Sequence, residues 1–201
     1  MATGPRYKVV FRRRRQGKTD YHARRRMIRS NRPRLVVRCT GKRILVQVMK
    51  ALPQGDHTIA AVDSKQLTKL GWRGGVKNVP AAYLAGYLAG HLSLSNGVSS
   101  AIVDIGLSKP IPGGRIFAAV KGAIDAGLDI PCEAKMFPSE KRIRGDHIAA
   151  YAKDLSKNAP QDFKRQFGKI SKGRVDLTQI PAMFEKTKSK IGGSPRRRST
   201  K

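Results

Sequence analysis

The densest concentration of reactive charge in this 201-residue sequence is Arg12-Arg13-Arg14-Arg15. In an extended chain these four guanidinium groups fall within about 14 Å, a spacing that can follow a folded nucleic-acid backbone. Guanidinium pairs phosphate bidentately and stacks on bases. Arg6, Lys8, Lys18, Arg24, Arg25, Arg26 and Arg29 continue the basic run on either side, and Tyr7, Phe11 and Tyr21 are interleaved with it. Rings among cations are the pattern by which unpaired RNA bases are held. Plainer uses fit the same residues: a solvated tail, a nuclear-type address, or an arm that Tyr7 and Phe11 anchor to a core.

A second candidate is the loop Gly71-Trp72-Arg73-Gly74-Gly75. Its backbone amides can approach a phosphate, with Arg73 and Lys77 beside them. The alternative is a tight turn with Trp72 packed on the domain. The loop is not GxxxxGK[ST], and no GxGxxG follows a strand, so a nucleotide-binding loop is not expected. Carboxylates give the nuclease alternative, because two-metal cleavage needs a cluster of them. Asp63 follows one expected strand and Asp104 lies in another, with Asp125, Asp129 and Glu133 as further candidates. In so basic a chain the same acids can simply neutralise arginines or cap helices. His22, His57, His91 and His147 show neither HxxxH nor HExxH spacing, and no nucleophile elbow supports a Ser–His–Asp site. The expectation is a binding protein with no catalytic residue, metal, cofactor or small-molecule substrate.

The charge balance says what is bound. Forty-two Lys+Arg oppose 13 Asp+Glu, for a net +29, far beyond what solubility needs and self-repelling in a compact state. The charge is segregated. Residues 1–43 carry 16 bases and one acid, for +15; residues 44–135 carry nine and six, for +3; residues 136–201 carry 17 and six, for +11. A nearly neutral middle between two cationic ends points to a polyanion, with the ends ordering mainly against it. A membrane partner is not expected. The longest stretch without a charged residue, Asn78 to Val103, is broken by Pro80, His91 and several serines, unlike a spanning helix. Residues 1–30 lack the apolar core of a signal peptide. Cys39 and Cys132 stand alone, which fits a reducing, intracellular compartment rather than a disulfide or zinc scaffold.

These residues need elements to position them. Residues 4–18 lack helical periodicity and read as an extended arm. Thr19 or Asp20 caps a short helix to about Arg29. Arg34–Cys39 and Ile44–Met49 read as a hairpin, with Thr58–Val62 a third strand after Pro53-Gln54-Gly55-Asp56. A helix starts near Asn78, with Pro80 in its first turn, and stops at Asn96-Gly97. Ala101–Ile105 is a short buried strand. Gly113-Gly114 opens a helix that Gly127 stops. A final helix spans about Gly145–Leu155, and beyond Lys157 the pattern fades into basic stretches ending in Arg196-Arg197-Arg198. Strands alternating with helices call for right-handed crossovers and a three-layer α/β sandwich. The expected division is a basic arm and helix (1–32), a globular α/β domain (33–135), and a helical, basic C-terminal extension (136–201).

Seven runs occur in order across residues 4 to about 155: GPRYKVVFRRRRQGKTDY from Gly4, RPRLVVR from Arg32, Gly71-Trp72, PAAYLAGYLAG from Pro80, DIGL from Asp104, GRIFAAVKGAIDAGLDIP from Gly114 and RIRGDHIAAY from Arg142. Together they resemble the archaeal/eukaryotic-type large-subunit ribosomal protein L-eighteen family, whose eukaryotic members are numbered L-five. The length near 200 resembles the archaeal form. The resemblance implies an α/β sandwich with a mixed sheet, similar to the ribonuclease-H-like motif but without its catalytic acids, and extended basic N- and C-terminal segments. It implies a cytoplasmic protein of the large ribosomal subunit that binds 5S rRNA, also touches 23S rRNA, and seats the 5S particle in the central protuberance beside other ribosomal proteins, including the other 5S-binding protein. It implies that Arg6 to Arg29 contact 5S rRNA and brings in Arg142 and Arg144 as rRNA-binding candidates. The C-terminal basic segment is expected to reach 23S-type RNA. The competing expectations are a metal-dependent nuclease using Asp63 and Asp104, and a basic protein that compacts DNA.

Overall fold

The computed structural model describes residues 4–171 and 176–193. Strands β1 (Arg34–Cys39), β2 (Ile44–Leu52), β3 (Gly55–Asp63) and β4 (Ile102–Asp104) form one mixed sheet in the order β3-β2-β1-β4. The first three pair antiparallel, and β4 joins β1 in parallel, Val36 facing Asp104. β2 and β3 are longer than their apolar runs suggest. Their ladder continues to Leu52 opposite Gly55, across a two-residue turn at Pro53-Gln54. Strand alternation sorts the two faces. Leu35, Val37, Ile44, Val46 and Val48 enter the core, while Arg34, Val36, Arg38, Gln47 and Met49 line a cleft on the other face.

The core face is covered by α3 (Val79–Ser95) and α4 (Arg115–Asp125). Asn78 caps α3 by accepting from the Ala81 amide at 3.0 Å. The helix is apolar nearly all round, and it is buried nearly all round. Small residues let the two helices touch backbone to backbone. A Cβ on Gly86 would lie 1.9 Å from the Ala119 carbonyl oxygen, and one on Gly122 would lie 2.2 Å from that of Tyr83. Across the opposite face lie α1 (Arg12–Arg15) and α2 (Tyr21–Arg29), giving the three-layer α/β arrangement.

Two local expectations need correction, and one element between them has no counterpart in the sequence patterns. Residues 12–15 are one helical turn, not extended chain. The Phe11 carbonyl accepts from the Arg14 and Arg15 amides at 2.9 and 3.0 Å, and Gly17 ends the turn at φ 61°. Arginine is a good helix former, and only one turn is asked of it. A seven-residue 3₁₀ segment, Ser64–Leu70, precedes the glycine loop. Asp63 caps it, and its Leu67 is buried. Past residue 157 the described residues are largely helical instead of fading into irregular basic stretches. After α5 (Glu140–Arg144) and α6 (Asp146–Asn158) come α7 (Pro160–Ser171) and α8 (Ile180–Gly192). Ile180, Phe184, Thr187 and Ile191 line the buried side of α8 and pack it on α3, with the Phe184 and Tyr83 rings 5.4 Å apart. The C-terminal part therefore shares the main core. Arg196-Arg197-Arg198 lie outside the described residues.

Candidate nucleic-acid interface

The N-terminal cations are displayed rather than buried. Arg6, Lys8, Arg12 to Arg15, Lys18, Arg25, Arg26 and Arg29 are all exposed. The one acid in residues 1–43, Asp20, accepts from the His22 and Ala23 amides at 2.9 and 3.1 Å as the cap of α2. Those backbone bonds, the Ala23 amide foremost, hold its carboxyl below the ordinary carboxylate range. Among the described residues from Arg6 to Arg32, Arg24 is the one cation in an ion pair. The arm thus keeps most of its positive charge exposed and unpaired. The aromatics split in role. Phe11 and Tyr21 pack against each other, centroids 4.8 Å apart, and Arg13 Nε donates to Thr19 Oγ1 at 2.8 Å. These contacts fold the arm back onto the start of α2. Tyr7 stays half exposed, and Phe11 keeps 68% of its surface open even in that contact.

A ladder of alternating charge ties α2 to the sheet. Arg24 on α2 pairs with Asp56 on β3 at 2.9 Å, and Asp56 with Arg34 on β1 at 2.7 Å. Arg34 then pairs with Asp104 on β4, and Asp104 with Arg38 on β1, each at 2.7 Å. Asp104 also accepts from the Gly106 amide at 2.9 Å. Burial pushes the Asp104 carboxyl up, but the hydrogen bond and charge of Arg38, the Gly106 amide and the charge of Arg34 outweigh it and hold it low. Asp56 behaves alike: burial raises it, and hydrogen bonds from Arg34 and Arg24 bring it down further. Both acids are ionised, and they fix the seat of α2. Arg24 is therefore a structural tether as well as part of the basic face.

Asp104 and Asp63 do not form a metal site. They lie on the two edge strands, three strand spacings apart, or about 14 Å. Asp63 is committed to Arg43 at 2.6 Å and to the Lys65 amide at 3.0 Å. Among the described residues no group of three His, Cys, Asp or Glu side chains is placed to hold a metal ion. Asp125 accepts from the Tyr83 hydroxyl at 2.8 Å and pairs with Lys121 at 2.9 Å. Burial first, and then this bond to Asp125, drive the Tyr83 pKa upward and keep the phenol protonated.

The glycine loop resolves to the packed alternative. Trp72 has no exposed surface, and its Nε1 donates to the Gly75 carbonyl at 2.6 Å. No ring face remains for a base, so Trp72 is withdrawn as an RNA contact. The burial has a packing cause: a Cβ on Gly74 would lie 2.7 Å from the indole. Arg73 stays exposed, its amide resting on Met183 Sδ at 3.2 Å. Beside it, Lys190 Nζ reaches to 3.3 Å from where a Gly71 Cβ would sit. Exposed Lys69 and Lys186 lie on the same two packed segments. Lys69, Lys186 and Lys190 belong to no motif that marks them in the sequence as part of a basic surface. The helical spacing of Ile180, Phe184 and Ile191 was the available sign that α8 folds back on the core. Lys77 is elsewhere, its Nζ donating to the Gly41 carbonyl at 3.0 Å. Arg142 and Arg144 are exposed on α5, and Arg144 pairs with Glu185 of α8 at 3.3 Å. Two basic surfaces result. The arm and α2 lie on one side of the sheet, while the Arg73 loop, α5 and α8 lie on the side of α3.

The chain matches the family model described as ribosomal large subunit proteins 60S L5 and 50S L18, over residues 5–100 and 93–133. A protein of Staphylothermus marinus named large ribosomal subunit protein uL18 is 50% identical over 192 residues, covering 95% of the chain and 95% of the relative. Proteins of the same name from Caldivirga maquilingensis and Methanothermobacter thermautotrophicus are 49% and 44% identical, each over 95% of the chain and at least 93% of the relative. These relatives extend the similarity past residue 133 into the C-terminal helices.

Proposed function

The chain belongs to the family of large-subunit ribosomal proteins 60S L5 and 50S L18, and from that premise we propose that it grips 5S rRNA with its arm and α2. As a structural constituent of the large subunit it binds and positions; it does not turn over a substrate. The observation that carries the reading is the charge of residues 6–32, which among the described residues is unpaired except at Arg24 and whose neighbouring acid is spent on a helix cap. Arg12, Arg14, Arg15, Lys18, Arg25, Arg26 and Arg29 neutralise phosphates and release counterions. Tyr7 and the open side of Phe11 stack on bases or sugars. Arg6, Lys8 and Arg13 support the same backbone path. The second surface, with Arg73, Arg142 and Arg144 alongside Lys69, Lys186 and Lys190, meets 23S-type rRNA. Because the two surfaces lie on opposite sides of the sheet, one rigid body bridges two RNAs and seats the 5S particle in the central protuberance of the cytoplasmic ribosome, beside neighbouring ribosomal proteins.

A chemical footprint on 5S rRNA tests this, with the full chain and with a chain lacking residues 1–30. Protection should be present with the first and lost over most of its extent with the second. If six to ten phosphates are met, affinity falls roughly 10³- to 10⁵-fold between 50 and 200 mM salt. Equal affinity for duplex DNA favours a DNA-compacting protein instead, and an unchanged footprint after truncation refutes the arm's role.

A further inference from the structure

Between α2 and the open face of the sheet lies a cleft of about 680 Å3. The charge ladder forms part of its floor, but several groups there are uncommitted. Gln47, at the middle of β2, is half-buried on that floor, and its side-chain amide makes no hydrogen bond among the described residues. Arg34 also lines the cleft. Its side chain is 3% exposed, and its Nε is a buried donor with no acceptor among the described residues. Arg38 is held rigidly by Asp104 and packs on Gly106, where a Cβ would come within 2.8 Å of the guanidinium carbon. Met27 and Met49 add soft apolar walls, and Arg13 and Lys18 stand on the arm side.

This mixture differs from a plain anion site. Phosphate needs only the cations. A side-chain amide beside thioethers suits a flat heteroaromatic ring with a donor–acceptor edge, since amides pair with base edges and methionine packs well on aromatic faces. Clefts that take small molecules run from about 300 to 1,000 Å3, so one nucleotide fits. We infer that one unpaired nucleotide of the bound RNA enters this cleft, its base between Met27 and Met49 with an edge on Gln47, its phosphate toward Arg13 and Lys18. The inference rests on the RNA-binding reading above and assigns it a specific pocket. The ladder then has a second use: it holds α2 at the height that keeps the cleft open before RNA arrives.

The full chain labelled with ¹³C-methyl methionine provides the test. Met27 and Met49 report on the cleft, whereas Met136 and Met183 lie outside it. Each of the four ribonucleoside monophosphates is titrated into the millimolar range, with inorganic phosphate as the comparison. At least one nucleotide should move Met27 and Met49 saturably while Met136 and Met183 stay fixed. Phosphate should leave all of them in place. Gln47→Ala should weaken the response about fivefold or more, and Gln47→Trp, which puts an indole where the base would sit, should abolish it. Folding of both variants is checked by the Met183 resonance, which reports on the distant α8 contact. Equal shifts from phosphate alone, common movement of every reporter, or a response untouched by Gln47→Ala each overturn the proposal. Binding of 5S rRNA on the same samples is a separate readout. Its absence with a normal Met27 and Met49 response refutes the ribosomal reading alone, and the reverse result refutes the cleft alone.

Discussion

Replacing Asp104 by Asn separates the ion-pair role from the catalytic one. The Asp104 side chain is 4% exposed and accepts from Arg34 at 2.7 Å, Arg38 at 2.7 Å and the Gly106 amide at 2.9 Å. Asn keeps the shape and one carbonyl oxygen, but it turns an N–H₂ toward a guanidinium, so donor meets donor. Removing one partner of a buried ion pair costs about 3–5 kcal/mol. Arg34 retains Asp56 at 2.7 Å, which places this case near the low end, at about 3 kcal/mol. For a chain of this size each kcal/mol moves the melting temperature by about 2–4 °C, so the expected drop is about 6–12 °C. Thermal unfolding followed by circular dichroism measures it. Because the folded Asp104 pKa is depressed, its contribution is fully present above the unfolded aspartate value near 3.9 and is lost as pH falls through the lower folded value. The difference between wild type and variant should therefore shrink below about pH 4. A variant that melts within 2 °C of wild type at pH 7, against the larger loss expected, would refute the reasoning. So would a wild-type protein that cleaves RNA with Mg²⁺ and loses that cleavage on Asp104→Asn.

Three other outcomes are expected. Arg14→Ala with Arg15→Ala should reduce the slope of log affinity for 5S rRNA against log salt by about 1.4–1.8, the value for two lost phosphate contacts, as read from binding isotherms at four salt concentrations. Gly86→Ala should destabilise by about 3 kcal/mol or more, because its Cβ would lie 1.9 Å from a backbone oxygen that cannot rotate away; urea unfolding measures this, and wild-type stability would disprove the close contact of α3 with α4. Trp72→Phe should cost about 2–4 kcal/mol through the lost Gly75 hydrogen bond and the void left by the indole. Under conditions where that variant is folded its RNA affinity should match wild type, and a selective loss of binding would return Trp72 to the interface.

The apolar runs and their punctuation set most of the local structure in advance. The β-branched runs RLVVRC and ILVQVM wrote β1 and β2, and Asp20, Asn78 and Gly127 marked helix ends that the structure keeps. The excess of arginine over acid in the first 43 residues points to a polyanion whatever the fold, since charge does not depend on packing. Tertiary structure decided the matters that turn on who sits beside whom. Trp72 was ambiguous in its loop because a glycine-rich turn can present or swallow a ring; the approach of Gly74 swallowed it. Asp104 could have been a ligand or a counter-ion, and the parallel register of β4 beside β1 placed two arginines against it. The last helix was hidden because lysines dilute its apolar stripe, and the stripe acquires meaning only when α3 lies opposite. Charge and periodicity are properties of the chain, whereas burial and pairing belong to its neighbours in space, and those are chosen only when the core closes.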